Sequence, residues 1–113
     1  MSGITTHVLD TSRGKPAADI PVTLARLDES GLVADTFHGV TDADGRVANL
    51  LGATPLAAGD FRLSFNLTAY AEQHFAASFY PQVDITFTVS DASQHFHVPL
   101  LLSPFGYSTY RGS

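Results

Sequence analysis

Several places in this sequence carry side chains that could move protons or hold an electron-rich substrate. The last seven residues, Tyr107-Ser-Thr-Tyr-Arg-Gly-Ser113, bring together two phenols, three hydroxyls, a guanidinium and the terminal carboxylate. They follow His97-Val-Pro-Leu-Leu-Leu-Ser103, an apolar run that reads as a buried strand. Polar density beside a buried element reads as a tail packed into a site; the alternative is an edge strand with a solvated end. His95-Phe-His97 is the second place. Residues i and i+2 of a strand share a face, so if Phe96 and Val98 face a core, both imidazoles point outward, roughly 6–7 Å apart. Such a pair could share a proton, bind a metal ion, or stand as two solvated residues. His7 lies opposite Ile4, Thr6 and Val8, with Thr5 and Leu9 beside it, and taken alone reads as a structural histidine. Arg46 follows the turn Thr41-Asp-Ala-Asp-Gly45 and taken alone reads as a surface charge. That turn resembles half of a calcium loop, but the downstream bidentate Glu is missing and an EF-hand is excluded. His38 and His74 read as surface residues.

The elements that would position these groups are short strands between turn signals. The pattern predicts an all-β fold, a two-sheet antiparallel sandwich of about eight strands with one short helix. Strands are expected over Ile4–Asp10, Ile20–Leu27, Leu32–Val40, Arg46–Leu51, Phe61–Leu67, Val83–Val89, His95–Leu102 and Tyr107–Arg111. Strict alternation puts Phe61, Leu63, Phe65 and Leu67 on one face, and Val83, Ile85, Phe87 and Val89 on another. The helix is expected over residues 68–77 with Thr68 as its N-cap. Gly45 suits a turn position with φ > 0.

Composition bounds the function. The 113 residues imply a single domain spanning 1–113. Only 15% of the residues are charged against 44% hydrophobic, which implies a surface partly covered by a partner such as another copy of the chain. The net charge of −5 argues against nucleic acid and anionic membranes as partners. There is no Cys, which excludes disulfides, thiolate catalysis and cysteinyl metal sites. No signal-peptide pattern and no apolar run of ~20 residues is visible, so a soluble cytoplasmic protein is the expectation. No Gly-rich phosphate loop and no Gly-x-Ser-x-Gly elbow occurs, and the acidic residues sit mostly in turns, away from any paired-carboxylate arrangement.

Three segments together resemble the transthyretin-like family, and within it the members that hydrolyse 5-hydroxyisourate. They are Thr6-His-Val-Leu-Asp-Thr11, Thr41-Asp-Ala-Asp-Gly-Arg46, and His95-Phe-His-Val-Pro-Leu-Leu-Leu-Ser-Pro104 leading into Tyr107–Ser113. Leu9-Asp-Thr-Ser-Arg-Gly-Lys-Pro16, with Val22-Thr-Leu24 and Thr41–Arg46, looks like many β-sandwich modules; the terminal Tyr-Arg-Gly-Ser is far more specific. The resemblance implies a homotetramer with sites in a cleft between subunits. It implies that His7, Arg46, His97 and Ser113 are catalytic, and that His7, Arg46, Tyr110 and Arg111 bind substrate. His7 or His97 would be the general base, Arg46 would steady the oxyanion and Tyr110 would orient the ring, while His95 has no settled role. It implies no cofactor and no metal. The competing readings are a non-catalytic carrier of small aromatic ligands, a structural β-sandwich module, and a metal site at His7, His95 and His97.

Overall fold

Alternation of apolar and polar side chains organises this chain into two sheets whose inner faces meet. A computed structural model describes residues 3–112. In chain order the elements are β1 (Gly3–Asp10), β2 (Lys15–Pro16), β3 (Pro21–Leu27), β4 (Val33–Val40), β5 (Arg46–Val47), β6 (Gly59–Asn66), α1 (Thr68–His74), β7 (Gln82–Val89), β8 (His95–Ser103) and β9 (Gly106–Thr109). One sheet runs β2-β1-β8-β9, with β5 also paired to β1; the other runs β4-β3-β6-β7. The expected two-sheet sandwich with one short helix is what forms.

β1 alternates strictly: Ile4, Thr6, Val8 and Asp10 are buried, while Thr5, His7 and Leu9 are half-buried on the outer face. β8 does the same at its start, burying Phe96 and Val98 and turning His95 and His97 outward. Ile4, Val8, Leu100 and Leu102 from this sheet close the core with Leu24, Phe61, Leu63 and Phe65 from the other. Each large side chain buried in this way contributes about 1.5–3 kcal/mol relative to exposure.

One pairing departs from the antiparallel expectation. β1 and β8 run parallel, with Thr5 beside His97 and His7 beside Pro99. Alternation is the same whichever way a strand runs, so the sequence pattern carries no direction here. The buried Thr6 hydroxyl donates to the Val98 carbonyl at 2.6 Å and fastens the two strands.

The helix also differs in detail. Leu67, not Thr68, occupies the cap position and makes no side-chain capping bond. The Thr68 amide instead donates to Asn66 Oδ1, because the chain turns into the helix one residue early. The helix is tied to β1 through Asp10, which is fully buried. Tyr70 donates its hydroxyl to Asp10 Oδ2 at 2.6 Å, and Arg13 donates to the Tyr70 oxygen at 3.1 Å. Burial, and then the hydrogen bond to Asp10, push the Tyr70 phenol up to about 12. Burial alone would raise the Asp10 carboxyl, but bonds from Ser12, Tyr70 and Arg13 outweigh it and hold it below its ordinary value.

The turn before β5 fixes where Arg46 stands. Asp42 Oδ1 accepts from the Asp44 and Arg46 amides, and the Thr41 hydroxyl donates to Ala17 while accepting from the Ile20 amide. Gly45 has φ 74°, as the sequence predicts. Its carbonyl accepts from the Val8 amide at 2.7 Å. A Cβ there would stand 2.4 Å from the Val8 carbonyl oxygen. Gly45→Ala is therefore expected to destabilise the fold by about 2 kcal/mol or more, combining left-handed strain with a backbone clash. Urea denaturation checks this; an unchanged midpoint would contradict it.

Candidate active site

β1 is the strand on which the site is assembled, because it is paired on both sides. On one side β5 pairs with it so that Arg46 stands opposite His7. On the other, β8 places His97 beside Thr5 and His95 beside Gly3. Opposed residues share a face of the sheet. Thr5, His7, Arg46, His95 and His97 therefore gather on one outer face.

Thr5, Arg46, His95 and His97 line a pocket of about 220 Å³, with Thr6, Val47 and Ala48 completing its wall. Thr5 Oγ1 lies 2.7 Å from His97 Nδ1 and 2.9 Å from His95 Nε2. No carboxylate lines this pocket. The ion pair among the described residues, Arg26 with Asp35, lies in the other sheet. Burial holds the His97 imidazole below its ordinary value, and Coulombic repulsion from His7, Arg46 and His95 adds to the effect; the Thr5 main chain acts weakly the other way. His97 is thus kept neutral, as a general base working near neutral pH requires.

The tail reaches the site through its backbone. The Gly112 amide donates to the His97 carbonyl at 2.8 Å. A Cβ on Gly112 would lie 2.6 Å from His97 Cδ2 and 3.3 Å from Pro99 Cγ. Only a glycine lets the chain end pass this close over the imidazole.

Of the residues expected at the site, the fold brings His7, Arg46 and His97 together, and adds His95. Ser113 lies outside the described residues. The pairings of Leu100 with Thr109 and His97 with Gly112 put Tyr110 at the register of Pro99, on the outer face, where it is 56% exposed. Arg111 falls on the opposite face. Its guanidinium lies 4.4 Å above the Phe96 ring and donates to Gln94 Oε1 at 2.8 Å, so it does not enter the pocket. Arg111 and Tyr110 both border a separate cleft of about 340 Å³ that includes Phe87 and Phe96, and neither lines the histidine pocket. Among the described residues no group of three His, Asp or Glu stands close enough to hold a metal ion, so the ligand set considered for His7, His95 and His97 is not formed. Thr5 was not singled out from the sequence, and Gly112 only as part of the Tyr-Arg-Gly-Ser tail: neither signals its contact with an imidazole until strand pairing makes it.

This chain belongs to the HIUase/Transthyretin family, whose model matches residues 4–112. A 5-hydroxyisourate hydrolase of Caulobacter vibrioides is 47% identical to it, with 100% of both chains covered. Among solved structures, Klebsiella pneumoniae 5-hydroxyisourate hydrolase superposes with a TM-score of 0.83 at 39% identity, covering 99% of this chain and 100% of that one. Transthyretin from Sparus aurata superposes with a TM-score of 0.89 at 27% identity, covering 99% and 97%. The backbone is shared by hydrolase and transthyretin alike, so any difference in activity must lie in the side chains of the site.

The electrostatics give a direct expectation. His97, followed by NMR titration, should lose its proton with a pKa below 6.5, and Arg46→Met should raise that value while burial keeps it under 6.5. A His97 pKa at or above 6.5 in the unaltered protein would contradict the geometry.

Proposed function

We propose that this protein hydrolyses 5-hydroxyisourate, opening its ring to 2-oxo-4-hydroxy-4-carboxy-5-ureidoimidazoline. The observation that carries the reading is one pocket in which a histidine held neutral, a second histidine and an arginine meet, in a chain similar over its whole length to hydrolases of that substrate. His97 is the base. It takes a proton from water as the oxygen attacks the ring carbonyl. Arg46 binds the carbonyl oxygen and stabilises the negative charge that develops on it. His7, opposite Arg46, holds the substrate's far edge, and Tyr110 orients the planar ring. When the tetrahedral centre collapses, the carbon–nitrogen bond breaks and the imidazolium of His97 returns its proton to the departing nitrogen. Ser113 joins the site through its hydroxyl or carboxylate. No cofactor enters the scheme, because proton transfer and charge stabilisation are each worth ~10²–10⁴-fold.

The active assembly in this reading is a homotetramer with sites at subunit interfaces. The low charged fraction of 15% supports this, as do β7 and β9, which each end a sheet with an unpaired edge. No helix of the described residues is long and apolar enough to cross a membrane, and we place the enzyme in the cytoplasm. A carrier of small aromatic ligands is the second reading, favoured by the likeness to transthyretin. It leaves the gathering of His95, His97 and Arg46 in one pocket without a use.

Substrate generated from urate by a urate oxidase, followed by ultraviolet absorbance, tests the assignment. The protein should accelerate the decay; decay no faster than in buffer would contradict hydrolysis and favour the carrier. His97→Asn should lower kcat by at least ~10²-fold with an unchanged circular dichroism spectrum; an unaltered kcat would remove His97 from the mechanism. Truncation before Tyr110 should abolish activity while the core stays folded, and full activity in the truncated protein would show the tail to be dispensable.

A further inference from the structure

The Thr5 hydroxyl sits between two imidazoles, and its hydrogen-bonding capacity restricts what both can do. It holds one hydrogen, yet it lies 2.7 Å from His97 Nδ1 and 2.9 Å from His95 Nε2. It can donate to only one of these nitrogens and must accept from the other. A neutral imidazole likewise carries a single N–H, so each choice fixes two tautomers. If Thr5 donates to His97, the His97 proton sits on Nε2, and Nδ1 is occupied by the bond. No nitrogen of His97 is then left to take a proton from water. If Thr5 donates to His95, it accepts from His97 Nδ1–H, and His97 Nε2 keeps its lone pair.

We infer that Thr5 is a positioning residue: its hydroxyl donates to His95 Nε2, accepts from His97 Nδ1–H, and so leaves His97 Nε2 as the proton acceptor. Of the two arrangements these distances allow, only this one leaves a His97 ring nitrogen free to take a proton from water, as the proposed hydrolysis requires. The charged groups that face His97 are His7 from β1, Arg46 from β5 and His95 from β8, while the tail contributes the Gly112 amide to the His97 main chain. No carboxylate among the pocket-lining residues can take over the role of acceptor toward Nδ1. His95 thereby gains a function: by receiving the hydroxyl hydrogen, it makes the Thr5 oxygen an acceptor. Burial of Thr6 on the opposite face and the pairing of Thr5 with His97 keep the hydroxyl in place.

The inference rests on the proposed hydrolysis, and nitrogen NMR reads the tautomer without reference to activity. Imidazole nitrogen NMR of the uniformly ¹⁵N-labelled protein, at a pH where His97 is neutral, should show the proton on Nδ1. A proton on Nε2 would overturn the inference. Thr5→Val keeps the shape and removes the hydroxyl, and Thr5→Ala serves if that variant folds poorly. Either should shift the His97 tautomer, lower kcat about tenfold or more with KM within about twofold, and move the acid limb of the rate profile to lower pH, since imidazolium loses an acceptor. Thr5→Ser should keep kcat within about threefold of the parent. Equal losses in the Val and Ser variants, or a Val variant with unaltered kcat and acid limb, would reduce Thr5 to a packing residue and overturn the inference. If the unaltered protein leaves 5-hydroxyisourate decay at its buffer rate, hydrolysis fails as the function, and the nitrogen spectra still decide the tautomer.

Discussion

The parallel contact between β1 and β8 is what the rest of the site depends on. It joins segments about ninety positions apart in sequence, Gly3–Asp10 with His95–Leu102. Their inner faces supply Ile4, Val8, Phe96, Leu100 and Leu102 to the core. Their outer faces supply Thr5, His7, His95 and His97. A slip of one residue would turn every one of these side chains to the wrong face, so burial of the apolar set enforces the polar set. The accuracy of the site is thus a consequence of hydrophobic packing on the far side of the same two strands.

Two glycines extend that control to groups from elsewhere in the chain. Gly45 lets the acidic turn lie against β1 and delivers Arg46 opposite His7. Gly112 lets the chain end cross the His97 ring. The result is a pocket that concentrates positive charge without a carboxylate among its lining residues. Such a field disfavours imidazolium and favours an oxyanion. In the proposed hydrolysis one arrangement would serve both halves of the step: a neutral base before attack, and a cation beside the oxygen after it.

Much of this was legible in the sequence. Alternation placed His7 opposite Ile4, Thr6 and Val8, and sent His95 and His97 to the face away from Phe96, as found. The Asp-Ala-Asp-Gly turn required a left-handed Gly45, and it has one. What could not be read was long-range. Strand direction leaves no mark on a period of two, so the parallel pairing was invisible, and with it the meeting of Thr5 and His97. Arg111 was expected to contact substrate on family resemblance. Alternation past the His97–Gly112 bridge sets its guanidinium over Phe96, a placement the tail motif alone did not reveal. The Asp10–Tyr70 lock between strand and helix was likewise hidden, since a buried carboxylate at a strand end looks like any turn residue until its donors are known.

The family holds both hydrolases and transthyretins on one sandwich, and what separates them must be the chemistry of a few side chains on one sheet face. The central claim is that a neutral His97 receives the proton of the attacking water. The most direct test compares two titrations: the acid limb of kcat/KM for 5-hydroxyisourate, which reports ionisations of the free enzyme, and the His97 ring resonance followed by NMR under the same conditions. The two should give the same pKa, below 6.5. A rate that stays constant while His97 becomes protonated would contradict the account.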